Sequence, residues 1–246
     1  MGKTIAIKNY KKQPKTMRFL ILIILIVIFM LAIFISPVFS IRQILLHGNE
    51  HYSKEEIIEK MGIKVGENIF LFKKDKAYKA LLDDSYIEMV QISIHWPNTI
   101  EVKINERKPI GYVPYLGTYL YIDKDGRVLE TCETYKKNLP IVQGLVFDSF
   151  KVGQVIPVNN QISLDVVATM AQMMIKYNIL QDVVKVDISD FRDIHIYVKR
   201  LDVSIGGMEQ FDKKIQWLIQ IMDVYDMGKV DLINIDKGRA VFSPLT

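Results

Sequence analysis

Between Phe19 and Phe39 the chain reads FLILIILIVIFMLAIFISPVF, and from Phe19 to Ile35 it holds no charged or polar residue. A helix rises about 1.5 Å per residue, so about 20 apolar residues cross the ~30 Å hydrocarbon layer of a bilayer. Leu, Ile, Val and Phe dominate the run, and each favours the bilayer centre by roughly 0.3–0.6 kcal/mol. A core helix of a soluble protein would keep a polar or small-residue face. Residues 19–39 are therefore expected to span a membrane, with Pro37 ending the helix near its outer end.

The flanks set the orientation. Lys3, Lys8, Lys11, Lys12, Lys15 and Arg18 precede the span without an acidic residue, whereas Arg42 is the first cation after it. Cationic flanks stay in the cytoplasm, which predicts a cytoplasmic basic tail over residues 1–18 and puts residues 40–246 on the far side. The rival is a cleaved signal peptide. Val38-Phe39-Ser40 is a weak cleavage site, and the apolar run exceeds the ~7–15 residues of a signal core. The expected topology is a single-pass type II anchor.

Charge removes one class of function. The tail's cations exceed the whole chain's net charge of +4, so the exported part carries a slight negative excess and no basic patch for nucleic acid. The tail could touch anionic lipid or a cytoplasmic partner; a solvated topogenic tail is the simpler reading. Cys132 is the single cysteine, so no intrachain disulfide can form and apolar packing must hold the exported part. Its length suits two modest domains.

The first exported block alternates in a readable way. Ile41–His47 reads as a short strand before the turn Gly48-Asn49. Ser53 followed by Glu56 is a capping box, opening a helix with Ile57, Ile58 and Met61 on one face and Gly62 at its end. Gly66-Glu67-Asn68-Ile69-Phe70 reads as a turn into an apolar anchor. Asp75 is expected to cap a second helix that buries Tyr78, Leu81 and Leu82. Then Val90, Ile92, Ile94 and Trp96 face one way and Gln91, Ser93 and His95 the other. Past Pro97-Asn98, Ile100, Val102 and Ile104 resume the apolar face, making a β-hairpin with one wet side. The order is β-α-α-β-β.

These pieces resemble the POTRA domain of the FtsQ/DivIB bacterial cell-division family. The matching segments are ILLHGNEHYS, VGENIF and, most specifically, VQISIHWPNTIEVKINERKPIGYV from Val90 to Val113. The resemblance is strongest over 41–113 and weaker beyond 150.

The second block reads as short strands at Ile110–Tyr115 and Tyr119–Ile122, then a turn at Asp123-Lys124-Asp125-Gly126. A calcium loop fails there, because its glycine comes too early and position twelve is Thr134 rather than Glu. Leu139-Pro140-Ile141-Val142-Gln143-Gly144 resembles a family segment. Ile162, Val166, Met170, Met173 and Tyr177 form one helical stripe, and Phe211, Ile215, Leu218, Met222 and Tyr225 another; core packing is the commoner use of such stripes, an adaptable methionine-rich groove the rarer. Strands are expected at 183–188, 194–198, 201–205 and 230–235.

The chain closes with a turn at Asp236-Lys237-Gly238 and a small apolar strand, Arg239-Ala240-Val241-Phe242. This resembles the terminal hairpin of the family's β domain, whose last strand receives a partner strand at a sheet edge. By position the resemblance implies Ile235, Arg239, Ala240, Val241 and Phe242 as partner-binding residues, through backbone pairing with side-chain selection. An ordinary solvated edge strand is the bland alternative. The sequence ends at Thr246, so no long tail is expected beyond this strand.

Catalytic motifs are lacking: the sequence has no HExxH, GxSxG, SxxK, P-loop or CxxC. His47, His51, His95 and His195 lack metal-ligand spacing, and Cys132 has no evident base. The expected fold is α+β: one N-terminal transmembrane helix, a β-α-α-β-β POTRA-like domain over 40–107, and a mixed α/β domain over 108–246 with an extended antiparallel sheet. The resemblance implies a non-catalytic scaffold of the division complex at the septum, binding FtsB/DivIC-type and FtsL-type proteins, with lipid met through the anchor. No nucleic acid, small-molecule substrate, cofactor or metal is expected. Two alternatives stand beside it. A membrane-anchored cell-wall enzyme would show a polar cleft with a carboxylate of raised pKa, and a POTRA-type export chaperone would show tandem units or a barrel.

Overall fold

The structure, a computed structural model, describes residues 15–135 and 138–244; most of the basic tail lies outside the described residues. Helix α1 (Lys15–Ile35) carries the apolar run. Its Thr16–Phe34 window is long and apolar enough to cross a membrane and is not buried against the rest of the protein. The helix stops earlier than Phe39. Ser36 turns to extended backbone, as a residue before proline must when the helical region is disfavoured, and Pro37–Phe39 form one 3-10 turn.

The next unit is β1 (Gln43–His47), α2 (Lys54–Met61), α3 (Lys74–Leu82), β2 (Ile87–His95) and β3 (Thr99–Glu106). The sheet order is β1-β3-β2, with β1 parallel and β2 antiparallel to β3. Ile44, Val90, Ile92, Ile100, Val102 and Ile104 point to one face, where Ile57, Met61, Ala77 and Leu81 of the helices cover them. The opposite face is wet: Glu101 pairs with His95 at 2.8 Å and with Lys103 at 3.2 Å. Gly48, at φ +85°, passes so close to β3 that a Cβ there would strike the Ile104 carbonyl. The Ser53–Glu56 capping box forms as the sequence dictates, and Gly62 ends α2 in the left-handed region.

Three expectations in this unit fail. Lys73, not Asp75, stands at the start of α3, without a side-chain cap; Asp75 sits in the first turn, where its charge suits the helix dipole. Tyr78 and Leu82 are exposed and Ala77 is buried instead, because the face turned to the sheet follows Ala77 and Leu81. Trp96 lies at the hairpin tip in solvent, against Phe70 rather than the core.

The second unit is built on a nine-stranded mixed sheet. Its strands are β4 (Gly111–Tyr115), β5 (Thr118–Ile122), β6 (Val128–Cys132), β7 (Ile141–Gln143), β8 (Val183–Asp187), β9 (Ile194–Val198), β10 (Arg200–Gly206), β11 (Met227–Asp231) and β12 (Val241–Ser243). Their spatial order is β12-β11-β10-β9-β8-β7-β4-β5-β6. Helix α4 (Gln161–Lys176) joins β7 to the parallel β8, and α5 (Phe211–Met222) joins β10 to the parallel β11. The helices pack on the sheet face that presents Val142, Val186, Ile196, Val203 and Val230. Strand β6 answers no sequence expectation. In α4 the buried face is Leu164, Val167, Met170, Ala171 and Met174, while Ile162 is exposed and Val166, Met173 and Tyr177 are only partly covered. Phe211, Ile215, Leu218 and Met222 are buried as expected, but Tyr225 lies beyond the helix and is exposed.

The two units meet over aromatic rings. Tyr86 packs with Tyr112, Tyr121 and Leu129 in a small cluster of its own, with Tyr52 at its side. Glu106, at the end of β3, accepts the backbone N–H groups of Glu50 at 2.7 Å, Tyr52 at 3.2 Å and His51. Ser85 donates its hydroxyl to the Leu129 carbonyl at 2.6 Å. A buried carboxylate that accepts several amides is well compensated for lost water.

Candidate partner interface

The sheet edge formed by β11 and β12 arises from the last residues of the chain. Strand β11 runs parallel to β10, in register from Arg200 opposite Met227 to Ser204 opposite Asp231. It starts earlier than the expected 230 and stops at Asp231, whose carboxylate accepts the Ile233 N–H at 2.8 Å and so turns the chain out of the sheet. A 3-10 turn, Ile235–Lys237, follows, and Gly238 at φ +67° sends the chain back. Strand β12 then pairs antiparallel with β11, Val230 opposite Phe242.

Side chains on β12 alternate as a half-covered edge strand requires. Phe242 turns inward and stacks on Tyr225, ring centroids 3.9 Å apart. Val241 and Ser243 turn out, with Val241 58% exposed. Gly228 makes room for this packing: at φ +148°, a Cβ there would come within 2.5 Å of the Phe242 ring. The outer backbone edge of β12 has no partner strand among the described residues, which leaves the donors and acceptors that an added strand uses.

The structure separates the residues the resemblance singled out. Val241 and Phe242 lie on β12; Ala240 is half-buried just before it, and Arg239 is exposed beside the turn. Ile235 is 6% exposed in the 3-10 turn, so its side chain fixes the hairpin rather than offering contact. Sequence reasoning missed Gly228 and placed Tyr225 in the helical stripe of α5 rather than against Phe242. Gly228 lies inside β11, two residues before the expected strand start, and a glycine within a strand marks close approach of another group.

Elsewhere many ionisable groups form pairs; the buried Lys214 instead donates to the Ile205 and Gly207 carbonyls at 2.6 and 2.8 Å, beside a cavity of about 310 Å³ also lined by Arg192, Glu209 and Asp236. Among the described residues no group of three His, Cys, Asp or Glu could hold a metal ion. Each carboxylate with a clear shift is shifted downward. Burial opposes ionisation of Asp84, but the Lys60 ammonium at 2.7 Å, the Tyr86 N–H and the Tyr52 hydroxyl outweigh it. Glu101 is lowered by its hydrogen bond from His95 and by Lys103. On the second unit, burial works against the charged form of His195, yet Asp202 at 2.6 Å and Asp193 raise its pKa.

Comparison with known proteins agrees with this architecture. Residues 39–107 match the family model "POTRA domain, FtsQ-type", and residues 111–235, just over half the chain, match "Cell division protein FtsQ/DivIB, C-terminal". The second match ends at Ile235, short of β12. The cell division protein DivIB of Clostridium botulinum strain Hall is 28% identical over 244 residues, covering 96% of this chain and 94% of its own. That of Listeria monocytogenes is 25% identical, covering 94% and 84%. A solved DivIB extracytoplasmic domain from Geobacillus stearothermophilus overlaps half of this chain and 96% of its own at 19% identity and a TM-score of 0.34. The chain belongs to the FtsQ/DivIB family of cell-division proteins.

Proposed function

We propose that the protein is a non-catalytic bitopic scaffold of the division machinery. Helix α1 anchors it, with the basic N-terminus in the cytoplasm, and both folded units stand outside, at the septum. The β12 edge takes a strand from an FtsB/DivIC-type partner, with FtsL-type proteins in the same assembly. The observation that carries this reading is the unpaired outer edge of β12 with Val241 turned to solvent. Backbone pairing would supply affinity, and alternate side-chain positions would supply selection.

Topology is tested by labelling whole cells with a membrane-impermeant maleimide, using Ser189→Cys in a Cys132→Ser background. The reading expects labelling at residue 189, which is exposed, and a fluorescent fusion concentrated at the septum. A protected residue 189 would overturn the orientation. A fusion spread evenly along the cell membrane would overturn the septal role.

A further inference from the structure

The POTRA unit has an apolar, lysine-edged surface that lies against the end of the anchor and takes no part in the β12 edge. Its centre is the loop after α2. Phe70 is 41% exposed, Leu71 58%, and Trp96 at the β2–β3 tip 57%. These are large apolar side chains in solvent, side by side: the Phe70 and Trp96 rings lie 4.9 Å apart. A contiguous patch of this kind marks a contact surface.

Its position says what the contact is. The Phe70 ring lies 5.2 Å from that of Phe34, in the last turn of α1, and 5.1 Å from that of Phe39. Asn68 donates its side-chain amide to the Phe34 carbonyl. Backbone bonds hold both loops to the segment leaving the helix: Ile41 N–H to Glu67 O at 2.8 Å, Gly66 N–H to Ile41 O at 2.8 Å, and Arg42 N–H to Asn98 O at 2.9 Å. The polar layer on each side of a bilayer is about 5–7 Å thick. A ring about 5 Å from the end of the span therefore lies within that layer, where tryptophan and other aromatic side chains concentrate.

The rim is basic. Leu71 opens onto a cavity of about 350 Å³ that is also lined by Lys60, Lys73, Lys76 and one acid, Glu67. Lys60 is held by Asp84, whereas Lys73 and Lys76 are exposed and make no ion pair among the described residues. Cations beside an apolar patch fit an anionic lipid surface.

We propose that the POTRA unit docks on the anionic phospholipid surface beside its own anchor, with Phe70, Leu71 and Trp96 entering the interface and Lys73 and Lys76 meeting the phosphates. The docking rests on α1 spanning the membrane, and it fixes the orientation of the first exported unit against the bilayer.

The test uses the full chain with Trp217→Phe, which leaves Trp96 as the one remaining tryptophan of two. The protein is reconstituted in phosphatidylglycerol–phosphatidylcholine vesicles carrying a nitroxide lipid labelled next to the headgroup. The expected result is a blue-shifted, strongly quenched Trp96. Quenching should fall in Phe70→Ser/Leu71→Ser, both exposed positions, with the circular dichroism spectrum unchanged. Lys73→Gln/Lys76→Gln should reduce it in anionic vesicles but not in pure phosphatidylcholine. A Trp96 left unquenched while the protein floats with the vesicles would overturn the docking and leave the anchor standing. Failure to float would overturn the anchor itself. Equal quenching in the lysine variant would overturn the role of the phosphates.

Discussion

Arg107 Nη1 donates to Asp123 Oδ2 at 2.8 Å across the joint between the two folded units, with the Asp123 side chain 1% exposed. Arg107 follows the last strand of the POTRA unit, and Asp123 opens the turn after β5. The other oxygen of Asp123 accepts the N–H groups of Asp125 at 2.9 Å and Arg127 at 2.8 Å. One carboxylate thus shapes the turn and holds the joint. This is the segment whose spacing fits a turn and not a calcium loop; the charge of Asp123 is met by a guanidinium.

Removing that carboxylate leaves a mostly buried cation with only the exposed Asp125 as partner. Breaking such a pair on one side costs about 3 kcal/mol. Asp123→Ala should lower chemical stability by this order. Asp123→Asn, which keeps an acceptor for the two amides, should lose less. Denaturant unfolding of the full chain in detergent micelles, followed by circular dichroism, reads both.

Gly228 and Phe242 give a separable test of the terminal hairpin. Gly228→Ala places a methyl where the Phe242 ring lies, and its positive φ adds strain of about 1–3 kcal/mol. The expected outcome is loss of β12 protection in hydrogen exchange, while the strands from β7 to β10 keep theirs. Uniform loss across the sheet would show that the hairpin supports the whole core.

Asp84 ties the stability of the POTRA unit to acid pH. The folded pKa of Asp84 is depressed below its ordinary 3.8, so its stabilisation is present above that value and lost as pH falls through the folded pKa. Asp84→Asn should start with a lower Tm at pH 7 and show a smaller further drop by pH 3. The sign reverses at His195. Its folded pKa is raised above 6.5, so its contribution is complete below 6.5 and is lost as pH rises through the folded value. His195→Gln should flatten the alkaline-side decline in Tm.

Ser53→Ala removes the hydroxyl that caps α2 and should cost about 1 kcal/mol. Equilibrium unfolding of the variant checks it.

Where one face was wet and the other dry, the sequence was readable. The hairpin of Val90, Ile92, Ile100, Val102 and Ile104 alternates cleanly because its far side carries Glu101, Lys103 and His95. Strand β6 was not readable, because both its faces are covered. Val128 joins the main core, and Leu129 turns the other way into the tyrosine cluster at the joint, so the alternation disappears. Helix α4 failed in register for a related reason. It is apolar on two sides, with Val167, Met170 and Met174 against the sheet while Val166 and Met173 border a groove shared with Phe211 of α5. Two stripes of equal hydrophobicity give no way to choose between them. At the candidate edge, the strand pairing was legible from the turn residues. The burial of Ile235 and the space beneath Phe242 depend on how the hairpin folds back, which no local pattern encodes.

The most direct measurement is the affinity of the full chain, in nanodiscs, for the extracytoplasmic part of an FtsB/DivIC-type partner, beside its Val241→Pro variant. Proline removes one N–H from β12 and cannot extend a ladder. The account predicts loss of binding in the variant with the circular dichroism spectrum of the protein kept. Equal affinity in the two proteins would contradict it and move the partner site away from the last strand.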